Sequence, residues 1–225
     1  MSDESHEQAE HGETAVRETR HLDLDRFNAF SDGVFAIAIT LLVLEIPVPG
    51  EAADLLPALR EQWAEFLGYY ISFAFIGGIW ITHSRVTTFM KRGDAVAYAM
   101  NLLLLLFVGL LPFATSLMVT HLSGPGVKTA VLLYGLDVLF ASLALSLLML
   151  YVAQEPALLV DDVADWMLER AARQRWISIG VNLFALAMAL VAPLVAVGLY
   201  LLETTILLVL PMVGLRRHRH RAKAE

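Results

Sequence analysis

The segment RFNAFSDGVFAIAITLLVLEI, residues 26–46, decides the fold of this chain. Between Asp32 and Glu45 it contains no charged residue. At about 1.5 Å per residue, a helix over residues 27–47 can cross an apolar membrane layer of about 30 Å. An ionisable side chain inside such a span is costly and needs a polar partner. Asp32 therefore predicts contacts between this helix and polar groups of other membrane helices.

The rest of the chain has the composition of a membrane protein. It is 57% hydrophobic and 17% charged, whereas soluble domains are about 45–50% apolar and about 25% charged. Further hydrophobic blocks cover residues 63–82, 96–120, 127–151 and 176–215. The last block is about twice as long as one crossing requires, and it contains Pro193, which interrupts a helix. We divide it into 176–192 and 194–215 and predict an all-α integral membrane protein with six transmembrane helices.

The distribution of Lys and Arg between the loops supports six crossings. With six, 14 of the 16 basic residues lie on one side, and only Arg60 and Lys128 lie on the other. With five crossings, 9 basic residues lie on one side of the membrane and 7 on the other. Because Lys and Arg concentrate in cytoplasmic loops, we predict a multi-pass protein of the cell membrane with both termini in the cytoplasm. The predicted parts are an N-terminal tail (1–26), a six-helix transmembrane domain (27–215) and a basic C-terminal tail (216–225).

Enzymatic chemistry is not indicated. The chain has no cysteine, which excludes disulfides, thiolate catalysis and Cys-based metal sites. No cluster of His and carboxylates has the spacing of metal ligands, and no nucleophile has an evident base. We expect no catalytic residues, no metal, no cofactor and no nucleic acid partner; membrane lipid is the surrounding partner.

Residues 26–32 carry the pattern Arg-x3-Phe-Ser-Asp, and an apolar run follows it. This arrangement resembles the transmembrane-protein-175 family of potassium channels, in its prokaryotic single-repeat form. The resemblance covers the first three helices well, and the last three agree in number and hydrophobicity only. Its further matches are Trp80 and His83 at the end of the second helix, and Asn101–Phe107 and Leu111-Pro112-Phe113 in the third.

The resemblance implies a potassium-selective leak channel, assembled as a homotetramer in which four copies of the first helix line a central pore. Such channels lack the carbonyl-lined Thr-Val-Gly-Tyr-Gly filter, and that string is absent from this sequence. The family's constriction and selectivity region is attributed to hydrophobic layers. By position these layers fall on Ile37, Leu41 and Leu44, with Thr40 beside them, and potassium ions pass between them through a hydrophobic gate.

Helix geometry is compatible with these positions. At about 100° per residue, Leu41 lies about 40° from Ile37, Leu44 about 20° to the other side and Thr40 about 60° away. They form one stripe about 100° wide. Asp32 falls about 140° from Ile37, so it points away from the axis if the stripe faces a pore.

The remaining motif residues suggest a structural cluster. Asp32, His83 and Asn101 lie near the cytoplasmic ends of the first three helices, and their common depth predicts a buried hydrogen-bonded group with Ser31. The cluster that we expect to hold the helices together comprises Arg26, Phe30, Ser31, Asp32, His83 and Asn101.

The sequence leaves two possible roles for each of three carboxylates. Glu45, at the outer end of the first helix, would give a tetramer four carboxylates at its outer mouth, or it is a solvated helix end. Asp137 and Glu203 lie near the middle of the fourth and sixth helices. They are either functional groups or neutral or paired acids within the bundle. Their presence supports the alternative function, a proton-conducting channel or a proton-coupled transporter.

Overall fold

The computed structural model describes residues 24–50, 54–160 and 165–221, with the side chains of residues 161–172, 174, 175 and 209–221 left out. Over these residues the chain is helical apart from its connections and one isolated bridge between Met90 and Leu159. The helices are α1 (Leu24–Leu44), α2 (Leu55–Glu61), α3 (Trp63–Thr88), α4 (Ala95–His121), α5 (Val127–Gln154), α6 (Asp165–Val191) and α7 (Pro193–Arg221). The N-terminal tail lies almost wholly outside the described residues. The predicted C-terminal tail continues α7 as far as Arg221.

Four of these helices, α1, α3, α4 and α5, are long and apolar enough to cross a membrane. Shorter apolar helices cover Trp176–Val191 and Pro193–Leu208, within α6 and α7. The all-α membrane architecture therefore agrees with the prediction.

The last hydrophobic block breaks at the predicted proline. Pro193 is the first residue of α7, a position where the missing N–H leaves no hydrogen bond unmade. The carbonyl of Ala192 accepts from Val195 and Ala196 and so begins the new helix. Glu203 is hydrogen-bonded to Asn182, 21 residues before it. Since Ala192 lies midway between these two residues, the chain reverses there and α6 and α7 are antiparallel.

The helix α1 is peripheral to the bundle. It contacts α3 and α4 and no other described helix, whereas α5 contacts α4, α6, α7 and α3. Large buried side chains of the core include Leu104, Leu111, Tyr134 and Leu148. One side of α1 therefore packs against the bundle, and its other side is left free.

The loops at the predicted cytoplasmic side are joined to each other. Lys91 N–H donates to the Leu158 carbonyl at 2.8 Å, and Val160 N–H donates to the Phe89 carbonyl at 3.0 Å. The Tyr151 hydroxyl donates to Asp94 at 2.5 Å, and the other oxygen of Asp94 caps α4 by accepting from Ala97 N–H. These bonds fix the loop after α3 against the loop after α5.

A close approach of α5 and α7 at Gly135 gives the first prediction. A Cβ atom at Gly135 would overlap the Tyr200 hydroxyl and lie 3.1 Å from Leu186 Cδ1. We expect Gly135→Ala to lower the free energy of unfolding by about 1–3 kcal/mol, as overpacking does. Thermal unfolding of the purified protein in detergent measures this loss.

Two variants control that experiment. Tyr200→Phe removes a buried hydroxyl that has no hydrogen-bond partner, so it should be close to neutral alone and should restore stability to Gly135→Ala. Gly180→Ala should be tolerated, because nothing lies within 4 Å of its added carbon. Equal losses at both glycines, or no rescue by Tyr200→Phe, would contradict the packing described.

Candidate pore-lining helix

The helix α1 has one buried face. Its buried residues are Phe27, Ser31, Phe35, Ala38 and Leu42, separated by four, four, three and four positions. This spacing places them on one stripe of an α-helix. The stripe packs against α3 and α4 and fixes which side of α1 is free.

The predicted constriction residues lie on the free face. Ile37 is 61% exposed, Leu41 42% and Leu44 74%. Thr40 is also exposed, and its hydroxyl donates to the carbonyls of Ala36 and Ile37 at 3.0 and 2.9 Å. Large apolar side chains on an unpartnered face require another apolar surface, lipid or a narrow lumen.

Three of the predicted cluster residues form a buried chain of hydrogen bonds. Asn101 Nδ2 donates to Ser31 Oγ at 2.8 Å, and its Oδ1 accepts from His83 Nε2 at 2.9 Å. Ser31 in turn donates to the Phe27 carbonyl at 2.9 Å. The His83 ring is stacked on Phe27 with centroids 5.9 Å apart. Because an amide oxygen only accepts, His83 carries a proton on Nε2. The chain connects α1, α4 and α3.

The other three residues of the predicted cluster do not join this chain, and the buried position expected for Asp32 is wrong. Asp32 is exposed and accepts a hydrogen bond from Trp80 Nε1 at 2.8 Å, so it links α1 to α3 at the surface. Arg26 is exposed, and Phe30 is 57% exposed. The reason is rotational: successive helical residues differ by about 100°, so Ser31 and Asp32 meet different surroundings.

The two intramembrane acids have separate surroundings. Glu203 accepts from Ser178 at 2.7 Å and from Asn182 at 3.2 Å. Asp137 is 4% exposed, and neither of its oxygens has a hydrogen-bond partner among the described residues. No hydrogen bond joins the two acids within the described part of the chain. Glu45 is exposed directly after the end of α1, which fits an outer mouth and a solvated helix end equally.

One polar chain was missed by the sequence reasoning. Ser72 Oγ lies 2.7 Å from Thr115 Oγ1 and 3.2 Å from the Tyr134 hydroxyl, and it joins α3, α4 and α5. Serine and threonine in membrane helices often bond to their own backbone, so their presence alone does not signal an interhelical contact. Across the described residues, no three His, Asp or Glu side chains are grouped so that they could hold a metal ion.

The comparisons with known proteins agree with the resemblance to the transmembrane-protein-175 family. A family model described as the endosomal/lysosomal potassium channel TMEM175 matches residues 26–112. A protein named as a potassium channel in Chamaesiphon minutus is 34% identical over 177 residues, covering 77% of this chain and 87% of that protein. The endosomal/lysosomal proton channel TMEM175 of Gallus gallus is 38% identical over 106 residues, covering 43% of this chain but 21% of the longer protein.

A solved structure extends the similarity to most of the chain. The crystal structure of a lysosomal potassium-selective channel TMEM175 homolog from Chamaesiphon minutus superposes with a TM-score of 0.75 at 30% identity. The match covers 83% of this chain and 96% of that one. The similarity in fold therefore includes the helices beyond the segment that the family model matches.

Asn101 supplies the central bonds of the buried chain, so its removal gives a test. Asn101→Leu leaves Ser31 and His83 without their interhelical partner, which we expect to cost about 1–3 kcal/mol. The yield of folded protein and its thermal unfolding temperature should fall, whereas the exposed neighbour Leu102 should tolerate Leu102→Ala. Normal folding of Asn101→Leu combined with lost ion selectivity would show instead that Asn101 acts on the ion.

Proposed function

We propose that this chain, which belongs to the TMEM175 family, is a potassium-selective leak channel whose pore is lined by α1. The observation that carries this proposal is the division of α1 into an anchored face and a free apolar face. The Chamaesiphon relatives support it, because one is named a potassium channel and the other a potassium-selective channel.

A homotetramer supplies the geometry that a pore requires. One copy of α1 contacts only α3 and α4 among the described helices, so one subunit does not surround a lumen. Four copies with their free faces turned inward would enclose a central axis. The large exposed side chains of Ile37 and Leu44 would then meet their symmetry mates instead of water.

The proposed constriction consists of three apolar rings and one polar position. Ile37, Leu41 and Leu44 are separated by four and three residues, which stacks their rings about 6 and 4.5 Å apart along the axis. Such rings exclude water when narrow, or force ions to lose part of their hydration when wide. Potassium sheds water more easily than sodium, so this layer favours potassium. Thr40 donates its proton to the backbone and so offers only oxygen lone pairs to a passing cation.

Six crossings of the cell membrane, with both termini in the cytoplasm, complete the proposal. The reversal of the chain at Ala192 supports two crossings in the last hydrophobic block. The concentration of basic residues in the tails and in two of the loops supports the orientation.

Proton conduction is the second candidate. The vertebrate relatives named as proton channels favour it, as does the buried carboxyl of Asp137. A relay through Asp137 and Glu203 needs a path between them, and the described residues provide no hydrogen bond that joins them. We therefore place the potassium channel first.

Labelling of single cysteines tests the topology, because the chain has none of its own. In intact cells, an impermeant thiol reagent should label Ser123→Cys, in the exposed connection between α4 and α5. It should not label His220→Cys until the cells are opened. External labelling of His220→Cys would contradict the six-crossing arrangement.

Two isoleucines two residues apart test the pore face. Ile37→Asn places polar groups in the innermost apolar ring, so we expect a larger flux and a smaller preference for potassium over sodium. Ile39, about 200° from Ile37, is half-buried and packs against the core. Ile39→Asn should therefore lower the amount of folded protein.

The measurement is ion flux into liposomes, normalised to the folded protein present. If a polar side chain had the same effect anywhere on α1, Ile37→Asn and Ile39→Asn would change flux and folding in the same way. Unchanged flux and selectivity in Ile37→Asn, together with altered selectivity in Ile39→Asn, would show that the pore face has been assigned to the wrong side of α1.

A further inference from the structure

The free face of α1 continues beyond the apolar rings towards the N-terminus. The residues Arg26, Phe30, Gly33, Ile37, Leu41 and Leu44 are each three or four positions apart, and all six are exposed. With Ile37 as the reference, Phe30 lies at about +20° and Arg26 at about −20°. The arginine of the motif therefore lies on the same line as the proposed constriction.

Arg26 has no polar partner among the described residues of its own subunit. It is exposed, and it forms no hydrogen bond or ion pair with any described residue. Asp32 of the same motif is bound to Trp80, and Asp25, the residue before Arg26, lies about 100° round the helix. The guanidinium of Arg26 is thus available to the space in front of the free face.

We propose that Arg26 is a conductance-determining residue, whose four copies form a positively charged ring at the cytoplasmic mouth of the pore. This inference rests on the proposed function, since it needs α1 to line a tetrameric pore. Arg26 and Glu45 are 19 residues apart, which is about 28 Å along a helix and close to the thickness of the apolar layer. The pore then has a charged ring at its inner end that is not balanced by cations at its outer end.

This asymmetry of charge has a direct electrical consequence. Guanidinium groups at the inner mouth lower the local concentration of potassium there, so fewer ions enter the pore from the cytoplasm than from outside. With equal potassium on both sides, inward current then exceeds outward current. An arginine stays charged at any physiological pH, so the rectification does not titrate. It does depend on salt, because the screening length is about 30 Å at 0.01 M and about 3 Å at 1 M.

Current–voltage curves of the full chain in excised membrane patches test the proposal. In symmetric potassium chloride at about 0.01 M, the wild type should rectify inwardly, and at about 1 M the curve should be nearly straight. Arg26→Gln should raise outward current by about twofold or more at the lower salt, with little change at the higher salt. The preference for potassium over sodium should stay as in the wild type, because the apolar rings are intact.

Two variants serve as controls. Arg26→Lys keeps the charge and should keep the rectification. Arg85→Gln removes another exposed cation, in the last turn of α3 instead of on α1, and should leave the curve unchanged. If Arg26→Gln gives the wild-type curve at low salt, or if Arg85→Gln gives the same change, the proposal is overturned.

Charge added after folding separates assembly from conduction. Arg26→Cys channels can be modified from the cytoplasmic side with thiol reagents that carry either sign of charge. A positive reagent should restore inward rectification, and a negative one should increase outward current; no difference between the two would overturn the role of Arg26. A wild type without potassium current would reject the proposed function itself. A conducting wild type that responds to Ile37→Asn but not to charge at residue 26 would reject only this inference.

Discussion

The buried hydrogen bonds from Asn101 to Ser31 and His83 set the rotation of α1 against α3 and α4. Inside a membrane no water replaces such bonds, so a helix whose polar groups found no partner would be strongly penalised. Turning α1 by one residue, about 100°, would separate Ser31 from Asn101. It would also bury side chains that now lie on the free face. Three polar side chains thus decide which apolar residues remain available for a pore.

The surrounding fold keeps this arrangement in place. Phe27 and Phe35 pack their rings against His83, so the polar chain is enclosed by apolar contacts on the same face of α1. On the bundle side, the Ser72–Thr115–Tyr134 chain connects α3, α4 and α5. The loops after α3 and α5 are held to each other through the bonds at Lys91 and Val160. The bundle against which α1 packs is therefore held together at two levels, by this polar chain and by the bonds between the loops.

Much of the fold was predictable from local features of the sequence. Hydrophobic blocks locate the membrane helices, and Pro193 locates the break in the last block, because a missing N–H acts on the chain where it stands. The alternation of exposed and buried residues along α1 follows from helical periodicity, so the free position of Ile37, Leu41 and Leu44 was also predictable. These features can be recognised in the sequence without knowing which residues are in contact in the folded protein.

The partners of polar side chains were less predictable, since they depend on neighbours distant in sequence. Common depth suggested one cluster for the whole motif, but Asp32 turns to Trp80 and Arg26 faces away. The pairing of Glu203 with Ser178 and Asn182 follows from the reversal at Ala192.

The central claim, that this chain alone forms a potassium-selective pore, is tested most directly by the reversal potential of purified protein in liposome patches under opposed potassium and sodium gradients. The account predicts reversal near the potassium equilibrium potential; reversal that follows an imposed pH gradient, or no current at all, would contradict it.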